Sequence, residues 1–148
     1  MAQDKDNLTS LKNNSPEQRW YWVRELAQNR APDAVSCLTG LSRHDDDALI
    51  REEAVRALAS FNEPSVPLLL LEVLRNESVA RARSAAAAGL RHYNNSKVVD
   101  GLIAALHDDD CLVQCAAARS LGAIGDPQAI PALVSCLLTE SDYVREEL

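Results

Sequence analysis

Aromatic residues are scarce in this chain, and their scarcity bears on the fold class. They make up 4% of the 148 residues, with a single Phe. Sandwiches and barrels of β-strands depend on aromatic and β-branched residues for their cores, so those folds are disfavoured. Ala and Leu, which favour helices, are abundant, and 47% of the residues are apolar. The composition therefore predicts a helical protein with enough apolar material for a packed core.

Positive charge is also in deficit, which excludes several kinds of partner. The net charge is −7, whereas binding to nucleic acid requires a basic surface. No apolar run approaches the ~20 residues of a membrane span, and the polar N-terminus lacks the apolar region of a signal peptide. The four cysteines show no CxxC spacing, so reduced thiols are expected. We expect a cytoplasmic protein with no nucleic-acid or membrane partner.

The sequence repeats itself about every 31 residues. Leu26, Leu58, Leu90 and Leu121 follow one another at steps of 32, 32 and 31 residues. Each copy predicts two short helices, and the second has apolar residues at positions i, i+3, i+4 and i+7, which make one buried stripe. The inner position of the first helices holds Trp22, Ala54, Ala86 and Ala117. The second-helix stripes are Ala34, Cys37, Leu38 and Leu41; Val66, Leu69, Leu70 and Val73; Val99, Leu102, Ile103 and Leu106; and Ile130, Leu133, Val134 and Leu137.

The repeats predict the fold class and the domain limits. We expect an all-α, right-handed α-α superhelix of four helix pairs with partial repeats at both ends. Residues 1–13 are predicted to be a polar N-terminal segment with a partial capping helix, and residues 14–148 the repeat domain. The last pair is left with an open apolar flank, which either a continuation of the chain or a partner would cover. The repeats lie at about 15–43, 46–75, 78–107 and 109–138, with a partial fifth copy at 141–148 whose first helix starts at Asp142.

Glycine, proline and aspartate mark the predicted helix ends. Gly125 can adopt the left-handed conformation that ends a helix, and Pro131 and Pro67 mark the starts of second helices. The sequence HDDD occurs at residues 44–47 and again at 107–110, two repeats apart. These aspartates are predicted to cap the following helices. A shared metal site is the alternative, but turns two repeats apart are too distant to hold one ion.

Two further sets of polar residues have a structural and a functional interpretation. Arg19, Arg51, Arg83 and Arg145 occupy one repeat position, which Gln114 interrupts. They are predicted to form a ladder that joins adjacent repeats, with recognition of an anion as the alternative. Cys111 and Cys115 lie one turn apart on a helix. They are either small residues in or beside the core, or a thiol pair that binds a metal or transiently holds an electrophile.

The repeat motif identifies a family resemblance. The segment VQCAAARSLGAIGDPQAIPALVSCLL and its weaker copies, IREEAVRALASFNEPSVPLLLLEVL and ARSAAAAGLRHYNNSKVVDGLIAAL, resemble the HEAT-like repeat of the phycobilisome lyase type. The resemblance covers residues 14–148 and implies a HEAT-repeat solenoid. Such proteins include subunits of bilin lyases, factors linked to phycobilisome turnover, and binding scaffolds.

Evidence for catalysis by this chain alone is missing from the sequence. The related di-iron enzyme deoxyhypusine hydroxylase uses His-Glu pairs, whereas His44, His92 and His107 are followed by Asp, Tyr and Asp. No nucleophile elbow, phosphate-binding loop or other catalytic motif occurs. We expect no catalytic residues, no metal and no cofactor, with a bilin bound only if the chain is a bilin lyase subunit.

A partner-binding surface is predicted on the second helices, which line the concave side of this kind of solenoid. Among sixteen outward positions only Glu72 and Asp100 are charged, and the others are small or weakly polar. Such a groove suits a helix or an apolar strip of a partner, although ordinary small-residue composition is the alternative. The candidate residues in this groove are Leu68, Leu71, Glu72, Asp100, Ala104, Ala105, Pro131, Ala132, Ser135 and Cys136.

A second candidate surface lies on the first helix. Trp20 and Tyr21 occupy the positions of Glu52 and Glu53 in the next copy, where solvent exposure is expected. Exposed aromatic residues anchor interfaces. Alternatively, residues 7–13 fold over them as a cap.

Two functions therefore remain open. The first is a non-catalytic scaffold that binds a partner protein on its concave face, as a monomer or in a heterodimer. The second is a subunit of a bilin lyase, or a chaperone or turnover factor of phycobiliproteins, with a phycobiliprotein as its partner.

Overall fold

The structure is a computed structural model that describes the backbone of residues 13–146 and side-chain exposure for residues 13–138. Within these residues all regular structure is helical, and the prediction of an all-α repeat solenoid is confirmed. Short 3-10 turns at Leu90–His92 and Pro127–Ala129 precede two of the second helices. The α-helices are α1 Pro16–Asn29, α2 Ala34–His44, α3 Ala48–Leu58, α4 Val66–Asn76, α5 Ala80–Gly89, α6 Ser96–Ala105, α7 Cys111–Ile124 and α8 Ile130–Glu146.

The helices form two layers, which follow from the two apolar stripes in each repeat. The first helices α1, α3, α5 and α7 pack side by side, and α2, α4 and α6 form the second layer. Each of these second helices also packs against the first helix of the next pair. The core lies between the layers, where the aligned Leu58, Leu90 and Leu121 are buried, as are Ala54 and Ala117.

Side chains cap the helix starts as the sequence predicts. The carboxylates of Asp47 and Asp110 accept hydrogen bonds from the backbone N–H groups of Leu49 and Leu112, both at 2.8 Å. The prediction that the HDDD segments act as caps is therefore confirmed for their last aspartates. Gly125 ends α7 with φ of 70°, in the left-handed region, also as predicted.

Arginine side chains join the repeats, which confirms the predicted ladder for Arg19, Arg51 and Arg83, while the side chain of Arg145 lies outside the described residues. In each rung, one guanidinium nitrogen donates to a backbone carbonyl of the preceding turn, for example Arg51 Nη1 to the oxygen of Asp45 at 2.9 Å. The other nitrogens donate to a carboxylate of the following turn, and 4–16% of these side chains' surface is exposed. Each rung therefore ties together two turns that flank one helix pair. The three ion pairs are Arg19–Asp45, Arg51–Glu77 and Arg83–Asp108.

The ion pairs of the ladder also lower the pKa values of two of its carboxyl groups. The hydrogen bond from Arg83 holds the pKa of Asp108 below its ordinary value, although burial acts in the opposite direction. Burial acts to raise the pKa of Glu77, but hydrogen bonds from Arg51 and from the backbone N–H of Val79 outweigh it, so this pKa is also lowered. Both carboxyl groups are thus held ionised by their rungs.

Gln114 takes the place of arginine in the fourth repeat, and the predicted fifth repeat does not begin as a separate helix. Gln114 Nε2 donates to the carbonyl of Asp108 at 2.6 Å, so the bond to the preceding turn is kept. Its amide cannot form the charged bond by which arginine holds the next turn. α8 continues from Ile130 through Asp142 to Glu146, so the predicted break before residue 142 is wrong.

The apolar stripe of α8 is also less buried than predicted. Ile130 is 57% exposed, Val134 48% and Leu137 68%, whereas Val99, which corresponds to Ile130, is fully buried. The stripes of the earlier second helices are covered because another pair follows them in the stack. In the described part of the chain no pair follows α8, so its stripe faces outward.

Two glycines provide a matched test of the packing between repeats. A Cβ added to Gly89 would lie 2.6 Å from Ala59 Cβ and 3.0 Å from Leu70 Cδ1, whereas at Gly122 it would meet nothing within 4 Å. We expect Gly89→Ala to lower the free energy of unfolding by about 1–3 kcal/mol through overpacking. Gly122→Ala should raise it by up to about 1 kcal/mol, since alanine favours the helix. Urea denaturation measures both, and a stabilising Gly89→Ala would contradict this packing.

Candidate partner-binding surface

The predicted groove residues are mostly exposed on the second-helix layer. Their positions on α4, α6 and the start of α8 follow the repeat, so they recur along the layer. Together they form the second-helix face, which consists of the exposed residues Leu68, Glu72, Asp100, Ala104, Pro131 and Ser135 and the half-buried residues Ala132 and Cys136.

Leu71 and Ala105 do not belong to this face, and their predicted outward orientation is wrong. Leu71 is 5% exposed and Ala105 7% exposed, and both lie in the hydrophobic core. A Cβ built on Gly101 would be only 2.4 Å from Leu71 Cδ2. Leu71 of α4 therefore occupies the space that the missing side chain of Gly101 leaves on α6.

The charged side chains of the second-helix face are held by neighbouring repeats. Arg43 Nη2 of α2 donates to Glu72 Oε2 at 2.5 Å, and Gln128 Nε2 donates to Asp100 Oδ1 at 2.8 Å. Glu72 is thereby paired with an opposite charge across the α2–α4 junction. Between these groups the face presents small and apolar side chains, including Leu68, which is 57% exposed.

The aromatic residues of α1 are exposed, as predicted for Trp20 and Tyr21. They are 41% and 60% exposed, and the Arg24 guanidinium lies 4.9 Å from the centre of the Trp20 ring. A hydrogen bond to Glu25 raises the pKa of Tyr21 above its ordinary value. These contacts within α1 fix the rings on its surface. The alternative of a cap over them involves residues 7–12, which lie outside the described residues.

Two neighbouring expectations about first helices are wrong. Trp22 was expected at the inner position, but it is 48% exposed, whereas Ala54 at the equivalent position is fully buried. No helix pair precedes α1 in the described part of the chain, so this position lacks the packing surface that Ala54 has. Glu52, expected in solvent, is 8% exposed. Its carboxylate accepts a hydrogen bond from Arg56 at 2.6 Å, which offsets the cost of burial.

The cysteines and histidines form no evident metal centre in the part that the structure describes. No group of three or more His, Cys, Asp or Glu side chains there could hold a metal ion. Cys111 and Cys115 are both exposed, so neither lies in the core, and of the structural interpretation only a position beside the core remains. Their use as a reactive thiol pair remains a prediction.

A cleft on the first-helix layer was not predicted from the sequence. It lies between α3 and α5, has a volume of about 590 Å³, and is lined by Arg56, Arg81 and Arg91 among others. Aligning the repeats hides this feature, because Ala88 replaces Arg56, and Leu49 replaces Arg81, at the equivalent positions. The signal available in the sequence was the local density of arginine between residues 75 and 91.

The described helices include none that is long and apolar enough to cross a membrane.

Comparison with known proteins identifies the family and a relative of this chain. Residues 6–91 and 68–148 match the family described as HEAT repeats. The phycocyanobilin lyase subunit alpha of Thermosynechococcus vestitus (strain NIES-2133 / IAM M-273 / BP-1) is 46% identical over 56 residues, which cover 33% of this chain and 20% of the relative. The chain thus spans about one fifth of that relative's length. These matches confirm the resemblance to the HEAT-like repeat of the phycobilisome lyase type. Because the family matches cover most of the sequence, this chain belongs to the HEAT repeat family.

Proposed function

We propose that this chain is a non-catalytic scaffold that binds a partner protein on its second-helix face. The main support for this proposal is that the carboxylates of Glu72 and Asp100 accept hydrogen bonds from neighbouring repeats, from Arg43 and Gln128 respectively. Glu72 is neutralised by Arg43, and Asp100 has a hydrogen-bond donor in Gln128, so an apolar strip that binds between them leaves neither carboxylate without a partner.

The chemistry of this face favours a helix or apolar strip of the partner. Leu68 provides a large exposed apolar side chain, and Ala104 on the next second helix leaves room for close approach. Small residues beside an exposed leucine suit the helix-in-groove mode of recognition. Concavity of this face is expected from the solenoid architecture and is part of the proposal.

Charge introduced on the second-helix face tests the scaffold proposal. We expect the double variant Leu68→Arg/Ala104→Arg to lose the partners that the wild-type chain captures from a lysate of its source organism, as identified by mass spectrometry. Leu49→Arg is the control, because Leu49 is 61% exposed but lies on the first-helix layer. Circular dichroism should show unchanged helicity in all variants. Capture of the same proteins by the double variant would refute binding on this face.

A second candidate is a subunit of a bilin lyase, or a chaperone or turnover factor for phycobiliproteins. It is favoured by the 46% identity with a phycocyanobilin lyase subunit over 56 residues. In this role the solenoid would hold the acceptor phycobiliprotein or the bilin, and the chemistry would require a further subunit.

Mixing experiments test the second candidate. We expect the purified chain to change the absorption spectrum of phycocyanobilin or to co-elute with an apo-phycobiliprotein in size-exclusion chromatography. Serum albumin, which binds many apolar ligands, controls for unspecific uptake of the pigment. If neither the bilin nor an apo-phycobiliprotein binds, this candidate is refuted, while the scaffold proposal still depends on the captured partners.

A further inference from the structure

The first-helix layer contains a positively charged cleft that the proposed function does not use. It lies between α3 and α5 and has a volume of about 590 Å³, within the size range of ligand sites in proteins. The chain as a whole carries a net charge of −7. The positive charge of the cleft is therefore opposite in sign to the net charge of the chain and requires an explanation.

The charges that line the cleft are not balanced within the chain. Arg56 Nη2 is paired with Glu52 Oε1 at 2.6 Å, so these two charges cancel. Arg81 has no acidic partner among the described residues. Arg91 donates its Nε hydrogen to His92 Nε2 at 3.1 Å, which leaves the other guanidinium donors available. Two positive charges therefore remain in the cleft.

Arginines elsewhere in the fold show what these two side chains lack. The guanidinium of Arg83 binds both oxygens of Asp108, at 2.7 and 2.9 Å. This bidentate geometry is the one in which a guanidinium binds a carboxylate most strongly. Arg81 and Arg91 have the same group exposed at a cleft, without the carboxylate.

The uncharged residues that line the cleft limit the form that a ligand can take. They include several small residues, among them Ala59, Ala85 and Ala88. Their short side chains permit close approach of a ligand, and Leu112, which is 52% exposed, adds apolar surface. A ligand can therefore lie against these side chains while its acidic groups reach the arginines.

The kind of partner follows from the known modes of peptide recognition. Strand addition requires a free sheet edge, and all regular structure in residues 13–146 is helical. Proline-rich segments require a groove lined by the rings of Trp, Tyr or Phe, whereas the residues that line this cleft include none of these three. Recognition of an acidic motif by clustered arginines fits the lining residues.

We infer that this cleft binds a short acidic segment of a partner protein, with Arg81 and Arg91 each binding a carboxylate of that segment. The inference does not depend on the second-helix face, because α3 and α5 belong to the opposite layer. The scaffold would then have two binding surfaces, one largely apolar and one basic, and could hold two protein segments at once.

Charge reversal in the cleft tests this inference. The probe is a synthetic glutamate-rich peptide, with a peptide in which glutamine replaces each glutamate as its control. We expect backbone amide signals of α3 and α5 to shift in NMR spectra of the full chain when the glutamate peptide is added. Binding should weaken about tenfold or more in Arg81→Glu/Arg91→Glu, and the glutamine peptide should cause no shifts.

A variant with the same net charge separates the cleft from general electrostatics. Arg75→Glu/Arg119→Glu changes two exposed arginines outside the cleft and should retain peptide binding to within a factor of about two. Equal losses in both double variants would overturn the inference, as would the absence of peptide-induced shifts in the wild-type chain. Citrate is the remaining control: if it produces the same shifts with equal affinity, the cleft is a small-anion site and the inference is wrong.

Discussion

Replacing Arg83 with methionine should lower the free energy of unfolding by about 3 kcal/mol. The Arg83 side chain is 11% exposed and binds the carboxylate of Asp108, which is 12% exposed. It also binds Asp109 at 2.6 Å and the backbone carbonyl of Glu77 at 3.1 Å. Methionine fills similar space but leaves the buried carboxylate of Asp108 without its cation. Because one side chain holds two turns, both should loosen together.

The exposed pair of Arg43 and Glu72 provides the control for this rung. Its side chains are 40% and 45% exposed, and ion pairs so well solvated contribute about 0–1 kcal/mol. Urea denaturation of Arg43→Met should therefore show a loss several times smaller than that of Arg83→Met. Equal losses would mean that the Arg83 rung contributes no more to stability than an exposed ion pair does.

The pH dependence of stability distinguishes the lost ion pair from lost packing. Since Arg83 lowers the pKa of Asp108, ionised Asp108 stabilises the fold fully above its unfolded pKa of about 3.9. That contribution is lost as the pH falls through the lower folded pKa. In Arg83→Met this part of the acid dependence should disappear, so the difference between the variant and the wild type should shrink on acidification. A constant difference would indicate packing alone.

The repeat period made the helices, caps and ladder predictable, because each is a local or periodic feature. Asp47 and Asp110 precede helix starts, and Arg51 and Arg83 recur at one position, so the sequence alone contains their roles. Burial against a neighbouring repeat is harder to predict, because it depends on the side chains of another helix. Leu71 has the helical phase of an outward residue, yet it is buried because Gly101 of the next second helix leaves space for it.

The candidate sites were less predictable for a related physical reason. Helical phase predicts which residues of the second helices point outward, and eight of the ten predicted groove residues are exposed or half-buried. The basic cleft depends on Arg81 and Arg91, which come from different repeat positions on α5 and the 3-10 turn that follows it. Superimposing the repeats does not reveal such residues, and the cleft beside them exists only because α3 packs against α5 and supplies its other wall.

Leu106 and Leu137 occupy the same repeat position and should respond very differently to truncation. Leu106 is 4% exposed and Leu137 is 68% exposed. We expect Leu106→Ala to lower the free energy of unfolding by about 2–4 kcal/mol, because it removes buried apolar surface and leaves a cavity. Leu137→Ala should change it by less than about 0.5 kcal/mol. Urea denaturation measures the free energy of unfolding of both variants, which carry the same Leu→Ala substitution and differ only in its position.

The variants Leu106→Ala and Leu137→Ala also test whether a partner covers the apolar stripe of α8. In the isolated chain, a large loss in Leu137→Ala would show that the stripe is covered and would contradict its exposure. In a complex that continues the stack, Leu137 would acquire the surroundings of Leu106, and Leu137→Ala would then weaken binding while leaving the stability of the free chain unchanged. Leu106→Ala would instead destabilise the free chain, because its surroundings are already complete without a partner.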